Sequence, residues 1–555
     1  PVSIHQAAGR HALTISAAPM LPELLRVIEQ TRALPAMAVA GATTGRPPAV
    51  AAPAWEVPGF DPLPTALPVA EVTSSPEPTA ARGPVSKLCD GQCSSSAGSV
   101  MWPAGQTAVI NIALVDDTRV QSVVLREWHM NETWAVKDRK LELSSDGFRK
   151  DIRPMPGAFA ETGTQSWGGN VNTIFELPVG QQAQQLRLTL SPANEQSSVY
   201  VAEVEVRGLR NGACPRVTAL AAGDLDGDGT AEVVIGGEGG QCRALDAGGR
   251  TVWECASKER ARINSLACAD VDGDGRAEVM FGQDAQTVGL LSSEGKLLWT
   301  ARPPRFRGID SDVMTVFPGD VNGDGCPEVI CGVESWQYFA YDATGKQLWG
   351  HVIYAHSATV GTAADLDGDG KDEIVAGDVY YTLNVIEHDG KRLWRGGAIG
   401  PEMTAVAAAD VTGDGKPEVF AGVDGGLLYA YDAAGQRLWD LNLGDKVTRM
   451  LPLDVNGDGK RELVCAAESA SVFAISGEGR IVWRTGLPDG CSDLALMDGA
   501  RLVACCGAAG VAVLGKDGKV QSLHSLPARA ESLAVVGNQA VVTESNGQVA
   551  AIRLP

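Results

Sequence analysis

Asp224-Leu225-Asp226-Gly227-Asp228-Gly229-Thr230-Ala231-Glu232 is the first of six near-copies of one nine-residue pattern. The others begin at Asp270, Asp320, Asp365, Asp410 and Asp454, at steps of 46, 50, 45, 45 and 44 residues. A tryptophan recurs at the same steps, as Trp253, Trp299, Trp349, Trp394, Trp439 and Trp483. Each unit reads as four short strands; residues 403–409, 418–422, 427–432 and 436–441 are one set. Four strands in about 45 residues is the period of a propeller blade, whereas a solenoid would need helices or shorter rungs. The expected fold class is therefore all-β, a β-propeller. Two degenerate units follow, 494–514 without an acidic loop and 532–552 with only three strands. Eight blades are expected, with seven as the alternative. The last blade needs a strand from elsewhere, and the segment just before Val217 is the candidate.

The repeated pattern carries the chemistry. Calcium takes six to eight hard oxygen ligands in flexible geometry. The spacing D-x-D-x-D-G turns side chains 1, 3 and 5 inward, and Gly at position 6 permits the sharp turn. The expected metal ligands are Asp224, Asp226, Asp228 and Glu232; Asp270, Asp272, Asp274 and Glu278; Asp320, Asn322, Asp324 and Glu328; Asp365, Asp367, Asp369 and Glu373; Asp410, Thr412, Asp414 and Glu418; and Asp454, Asn456, Asp458 and Glu462. Asn and Thr at position 3 still offer oxygen, and a backbone carbonyl near position 7 is expected to join them. Without metal, such clustered carboxylates repel one another. About six structural Ca²⁺ are expected. An EF-hand is excluded because it needs Glu at position 12 and flanking helices. The pattern resembles the FG-GAP or VCBS repeat of integrin α-subunits and many bacterial secreted proteins. That resemblance implies an ion tying the turn between the first two strands of a blade. The stretch Ala340-Tyr341-Asp342-Ala343-Thr344-Gly345-Lys346-Gln347-Leu348-Trp349 is similar to the blade motif of quinoprotein (PQQ-like) propellers, which implies tryptophans that dock blades together. Cys505-Cys506 is similar to a feature of some quinoprotein dehydrogenases, but the rest of a quinone site is not recognisable.

Upstream, the composition changes three times. Residues 1–34 read as a fragment of an upstream domain, with a strand at 9–15 and a short helix or strand at 21–34. Residues 35–84 hold 11 of the 30 prolines and read as an extended linker. Residues 85–208 alternate apolar and polar residues in segments separated by Gly, Asn and Pro, the pattern of an antiparallel β-sandwich. The propeller is expected over 214–555. Leu88-Cys89-Asp90-Gly91, 109–114 and Trp134-Ala135-Val136 leading to Leu143-Ser144-Ser145-Asp146-Gly147 resemble the discoidin (F5/8 type C, galactose-binding-like) family. This implies tip loops that bind glycans or lipid headgroups. Trp128, His129 and Trp167 are loop or packing residues in that reading, and Trp134 is structural.

At 555 residues the chain exceeds one core, and a formal charge of −22 disfavours nucleic acid and anionic membranes as partners. No apolar run reaches the ~18 residues that span a bilayer, so no membrane insertion is expected. The chain begins Pro1-Val2-Ser3 without Met, which reads as a mature or trimmed product with further domains upstream of Pro1. Cys242 and Cys255 flank the Gly248-Gly249 turn symmetrically and would face each other in a hairpin, as a disulfide or as two buried thiols. Disulfides and millimolar calcium both point to an extracellular or cell-surface protein.

In such a blade the first-to-second and third-to-fourth turns share one face, so the acidic loops occupy it. The opposite face usually carries the ligand. There blades 3 and 4 supply Trp336, Tyr338, Tyr380 and Tyr381 as candidate ligand contacts, with His351, Tyr354, His356, Arg305 and Arg307 as candidate catalytic groups. Aromatic platforms beside cations suit sugars, especially acidic ones; the alternative is that the aromatics pack under their own loops. Glu238, Asp284, Glu334, Asp378, Asp424 and Glu468 read as turn residues rather than a carboxylate ring. The leading expectation is a secreted carbohydrate-binding or adhesion module whose partner is a glycan or matrix polysaccharide. The alternatives are a polysaccharide-degrading enzyme, lyase-like with His or Tyr as base, and a structural part of a larger surface protein. Some calcium-containing eight-bladed propellers are rhamnogalacturonan lyases, an analogy of fold only.

Overall fold

The computed structural model describes residues 2–7, 10–15, 38–39, 53–61, 65–79, 84–89, 99–128, 136–167, 170–209, 216–353, 356–380, 382–398 and 402–554. They form two compact units, Pro1–Phe60 with Pro215–Pro555, and Asp61–Cys214. In the first, eight antiparallel four-stranded blades make an eight-bladed propeller, and Ala38–Val39 adds a fifth strand to the sixth blade, parallel to Ile481–Gly486. The first strands of the blades, Ala219–Gly223, Ile263–Ala269, Val313–Gly319, Ala358–Ala364, Met403–Ala409, Val447–Leu453, Leu494–Met497 and Ala530–Val536, are innermost. Several of them line a central channel of about 500 Å³. They are rich in Ala, Gly, Ser and Thr because the blades taper toward the axis. The second and third strands, such as Glu328–Val333 and Gln337–Tyr341, are buried along their whole length. Each lies between two neighbouring blades, so these strands are apolar runs rather than alternating ones.

Seven of the eight blade junctions are closed by one device. The indole N–H of Trp253, Trp299, Trp349, Trp394, Trp439 and Trp483 donates to the carbonyl of Ser293, Ala343, His388, Ala433, Gly477 and Lys516 in the next blade, at 2.8–3.0 Å. Each ring rests on the glycine two residues further on. At Gly295, Gly345, Gly390, Gly435, Gly479 and Gly518 φ lies between 75° and 84°, and an added Cβ would meet the ring at 2.5–2.7 Å. Glycine is thus required twice over, for its backbone conformation and for the space. The residue before each tryptophan, for example Leu298 or Leu438, points outward from this edge strand and is exposed.

The seventh such tryptophan is Trp55, and it corrects the expected linker. Trp55–Pro58 is the outermost strand of blade 8, paired antiparallel with Gln548–Arg553. Its indole donates to the Ala247 carbonyl in blade 1 at 2.9 Å and lies against Gly249. The closing strand therefore comes from residues 55–58, not from the segment before Val217. Arg216 instead pairs with Phe60, N–H to O in both directions at 2.9 and 3.2 Å, and the second unit is inserted between these two residues. Trp55-Glu56-Val57-Pro58 alternates like an edge strand, where proline is tolerated. Blade 7 has no docking tryptophan. The third strand of blade 8 ends near the C-terminus and its fourth arrives from residue 55, so no hairpin turn exists there to receive one.

Residues 65–66 and 69–75 of the expected linker also form strands, in the second unit. That unit is antiparallel throughout. Two long strands, Ala108–Trp128 and Asn170–Pro192, pair along most of their length with irregularities near Pro178–Gln181 and Ala183–Gln185. Their two halves share one core, with Ile110, Leu186 and Leu188 from one end and Leu125 and Leu177 from the other, around Trp102 and Leu88. Val69–Ser75 pairs with Val109–Leu114, so the unit starts well before residue 85. At the N-terminus, Val2–Ala7 and Arg10–Ile15 form a hairpin. Residues 21–34, His129 and Trp134, and the side chains of Trp128 and Trp167, lie outside the described residues.

Candidate functional site

The six acidic loops fold alike. Position 1 anchors each turn: one carboxylate oxygen accepts from the glycine N–H at position 4 at 2.6–2.8 Å, the other from the glycine N–H at position 6 at 2.8–3.2 Å. Both glycines have φ between 76° and 89° in every loop. The invariant Gly at position 4 was as necessary as that at position 6, although only the latter was singled out from sequence. The glutamate at position 9 opens the second strand, is buried, and accepts from the N–H at position 2 at 2.9–3.2 Å. Loops also touch their neighbours. Ala277 N–H donates to Asp224 O and Asp372 N–H to Asp320 O, both at 2.7 Å, and Lys460 Nζ reaches Thr412 O at 2.9 Å.

Position 3 divides the loops into two kinds. Asn322, Thr412 and Asn456 donate to the free oxygen of Glu328, Glu418 and Glu462 at 2.5–3.0 Å. Asp226, Asp272 and Asp367 have no proton to offer, and in loop 4 Glu373 Oε1 is buried without a hydrogen-bond partner. Burial, then the neighbouring aspartates, pushes the carboxyls of Glu278, Glu328 and Glu373 up to about 7, and raises those of Glu232 and Glu462. In four loops three carboxylate oxygens come within 4.8 Å of one another: Asp224, Asp226 and Glu232; Asp270, Asp272 and Glu278; Asp365, Asp367 and Glu373; and Asp410, Asp414 and Glu418. An all-oxygen donor set with an orphaned buried carboxylate oxygen fits a hard divalent cation.

On blades 3 and 4, away from these loops, the structure brings some of the expected ligand residues together. Trp336, His356 and Tyr380 form a row, with ring centroids 5.9 Å apart for the first pair and 4.6 Å for the second. Phe306 extends it, 6.0 Å from Trp336, and the Arg307 guanidinium lies 5.5 Å from the Trp336 ring. Tyr380 is 43% exposed and His356 is exposed. Arg307, Trp336 and His356 all have positive φ, at 53°, 67° and 81°. A non-glycine residue held there costs about 1–3 kcal/mol, and at Trp336 the conformation is that of the turn before the third strand, shared by Gln286 and Ala470 in other blades. Phe306 was missed in the sequence because it sits in a connection without periodicity.

Two candidates fall elsewhere. Tyr338 is fully buried and its hydroxyl bonds to the carbonyls of Val360 and Gly377 at 2.7 and 2.8 Å, so it is core, not a ligand contact. Its strand is closed in by the neighbouring blade. His351 is half-buried, with Nδ1 2.8 Å from Gly390 O in the turn that receives Trp349, and burial lowers its pKa. It belongs to the blade junction. Arg305 pairs with Asp310 at the edge of the row. Tyr354 and Tyr381 lie outside the described residues. Among the recurrent acids, Asp378 is buried and caps its turn, accepting from Thr382 Oγ1 at 2.7 Å and Tyr380 N–H at 2.9 Å, while Glu238 pairs with Arg216. Cys242 and Cys255 stand directly opposite each other in the ladder, as thiols. Cys505 and Cys506 are buried, with thiols raised by burial.

An eight-bladed β-propeller with FG-GAP-like acidic loops is the class this architecture defines. Residues 270–331 and 341–421 match the FG-GAP-like repeat family, and residues 424–554 match the family described as outer membrane protein assembly factor BamB. No curated protein matches the chain. Among solved structures, it is similar to Sqt1 of Saccharomyces cerevisiae (12% identity, 61% of this chain and 96% of that chain, TM-score 0.52). Sqt1 of Chaetomium thermophilum gives 12%, 61%, 97% and 0.50, and BamB of Moraxella catarrhalis 15%, 58%, 90% and 0.42. At these identities the Sqt1 likeness shows the propeller fold alone.

Proposed function

We propose that the protein is a secreted, calcium-stabilised propeller that binds carbohydrate through the row Phe306–Trp336–His356–Tyr380 with Arg307 beside it. The observation that carries this reading is the row itself: contiguous aromatic rings, partly exposed, on strained backbone, with a guanidinium at one end. Sugar faces stack on such rings, and a guanidinium favours an acidic sugar. Ca²⁺ at the acidic loops is part of the proposal, supported by the carboxylate oxygens that converge in the loops and by the raised glutamates. So is the extracellular setting, where Cys242 and Cys255 are positioned to join as a disulfide. The Asp61–Cys214 unit serves in this reading as a discoidin-like accessory module. A glycan array with the intact chain, with and without chelator, tests it. Binding to acidic glycans that Trp336→Ala and Tyr380→Ala weaken supports the reading, and a folded, calcium-loaded protein that binds no glycan overturns it.

The contact between His356 and Tyr380 favours one second reading. Both groups can exchange a proton, and Arg307 could neutralise a uronate, as a lyase requires. Release of unsaturated uronate from pectins, ulvans or alginates, lost in His356→Ala, would establish it. A chain that neither binds nor cleaves glycans leaves the role of a structural part in a larger surface protein.

A further inference from the structure

Blade 4 differs from the other loop-bearing blades in the turn that faces its acidic loop. The residue whose carbonyl receives the docking tryptophan is Ser293, Ala343, Ala433, Gly477 or Lys516 in other blades, and Ala247 where Trp55 docks, but in blade 4 it is His388. Its backbone is fixed by Trp349 Nε1, 2.8 Å from its carbonyl, and by the Glu387–Lys391 and Glu387–Gly390 bonds of the hairpin. Its Nδ1 turns toward the loop. It stands 3.8 Å from Glu373 Oε1, 3.9 Å from Asp369 Oδ2 and 3.7 Å from Glu387 Oε2. None of these is a hydrogen bond, and both His388 Nδ1 and the fully buried Glu373 Oε1 are without partners. Two donors each about 2.1 Å from one metal ion stand roughly 3.4 Å apart at the tetrahedral angle. The observed spacing is therefore too long for a direct bond and close to that of ligands sharing an ion.

The geometry points to a first-row transition-metal site, of the Zn²⁺ class, at Asp369, Glu373 and His388 in blade 4 alone. Calcium takes oxygen ligands, whereas imidazole with carboxylates suits zinc, manganese, iron or nickel. The proposal rests on reading the acidic loops as cation sites. It makes loop 4 the exception among them, because an ion held by Asp369 and Glu373 competes with Ca²⁺ for the same oxygens. Lys371 Nζ lies 3.4 Å from His388 Nε2 and is the opposing charge. It has to swing into solvent when the ion binds, leaving Nε2 as the N–H.

The test uses the intact chain, stripped with chelator and then held in millimolar Ca²⁺ while Co²⁺ is titrated in as the probe. Native mass spectrometry counts both ions and visible absorption reports the Co²⁺ ligands. One Co²⁺ per chain is expected, with d–d bands and no thiolate charge transfer. His388→Ala should weaken it by about a hundredfold or more, since loss of mere outer-shell partners costs 10–100-fold. Lys371→Gln should keep or tighten it, an arm that does not depend on His388→Ala folding. Co²⁺ that fails to bind in Ca²⁺, binds His388→Ala equally, or shows thiolate charge transfer overturns the proposal while the bound Ca²⁺ leaves the calcium reading standing. A chain that takes up neither ion overturns both.

Discussion

Removing the Trp55 indole should open blade 8 while the rest of the propeller stays closed. Trp55 is half-buried, rests on Gly249, and donates to Ala247 O at 2.9 Å and Gln539 Oε1 at 3.1 Å. Full burial of an aromatic ring is worth about 3–5 kcal/mol on truncation to Ala, so a half-buried one with a shared hydrogen bond comes to roughly 2–3 kcal/mol. At the other six tryptophan junctions the docking strand is tied to its blade by a hairpin. Here it is a four-residue strand reaching its blade from the far end of the chain, so the loss falls on one local opening rather than on global unfolding. Hydrogen exchange in the Gln548–Arg553 strand should accelerate about 30- to 150-fold in Trp55→Ala, at 1.36 kcal/mol per factor of ten. Trp439→Ala is the control, because it loses the same kind of bond, to Gly477 O at 2.8 Å, between two hairpin-tied blades. Unchanged exchange in Gln548–Arg553, or equal acceleration there in Trp439→Ala, would refute the claim that Trp55 closes the ring.

Three further outcomes are expected. Gly345→Ala should lower Tm well beyond Gly308→Ala: both positions have φ near 80°, worth about 1 kcal/mol in strain, but the Gly345 Cβ would meet Trp299 at 2.7 Å and the Gly308 Cβ meets nothing. In EDTA, Tm should fall as pH rises from about 4.5 through 7. The folded-state pKa of Glu278, Glu328 and Glu373 is raised to about 7 by burial first, so the folded state holds these protons more tightly than the unfolded chain and loses that advantage once they ionise. Saturating Ca²⁺ should flatten that slope, and a metal-free melt independent of pH would contradict the loop reading. Tyr338→Phe should destabilise by about 1–2 kcal/mol in denaturant, by removing the one hydroxyl proton that the Val360 and Gly377 carbonyls share, with glycan binding unchanged, whereas Tyr380→Ala should reduce binding about tenfold with Tm preserved.

What was legible in the sequence was whatever repeats. The nine-residue loops and the six tryptophans at matching steps marked six of the eight blades, because each of those junctions solves the same packing problem with the same residues. What escaped was whatever occurs once. Trp55 sits in a proline-rich stretch whose composition reads as solvated, and four residues of alternation carry almost no periodic signal. The seam it forms is also the seam that cannot repeat. A closed ring of hairpin blades must be joined somewhere by strands distant in sequence, and there the blade-7 tryptophan loses its receiving turn. The inserted unit makes this harder to see, since it separates Phe60 from its pairing partner Arg216.

The row at Trp336 escaped in part for the opposite reason. Aromatics in blades 3 and 4 looked alike in sequence, yet the pleat sorts them: Tyr338 on the third strand must point into the packed space between blades, while Trp336 in the turn before it is half-buried, packed against the margin of the same core and in contact with Phe306 and His356. Two residues apart, one lies wholly in the core and the other at its margin. The same sorting separates His351, on the docking strand, from His356, in the connection to the next blade. Period-2 geometry within a strand is predictable once the strand boundaries are known, but a loop aromatic such as Phe306 joins the row only through the turn around Arg307 and its positive φ. The positive φ at Trp336 belongs to the turn, since the residue before the third strand also takes it in other blades, at Gly240, Gln286, Gly426, Ala470, Gly510 and Gly547. Arg307 and His356 are left-handed outside that shared turn, and together with Trp336 they line the row. If glycine at these three positions left binding intact and raised stability, the row would be ordinary surface.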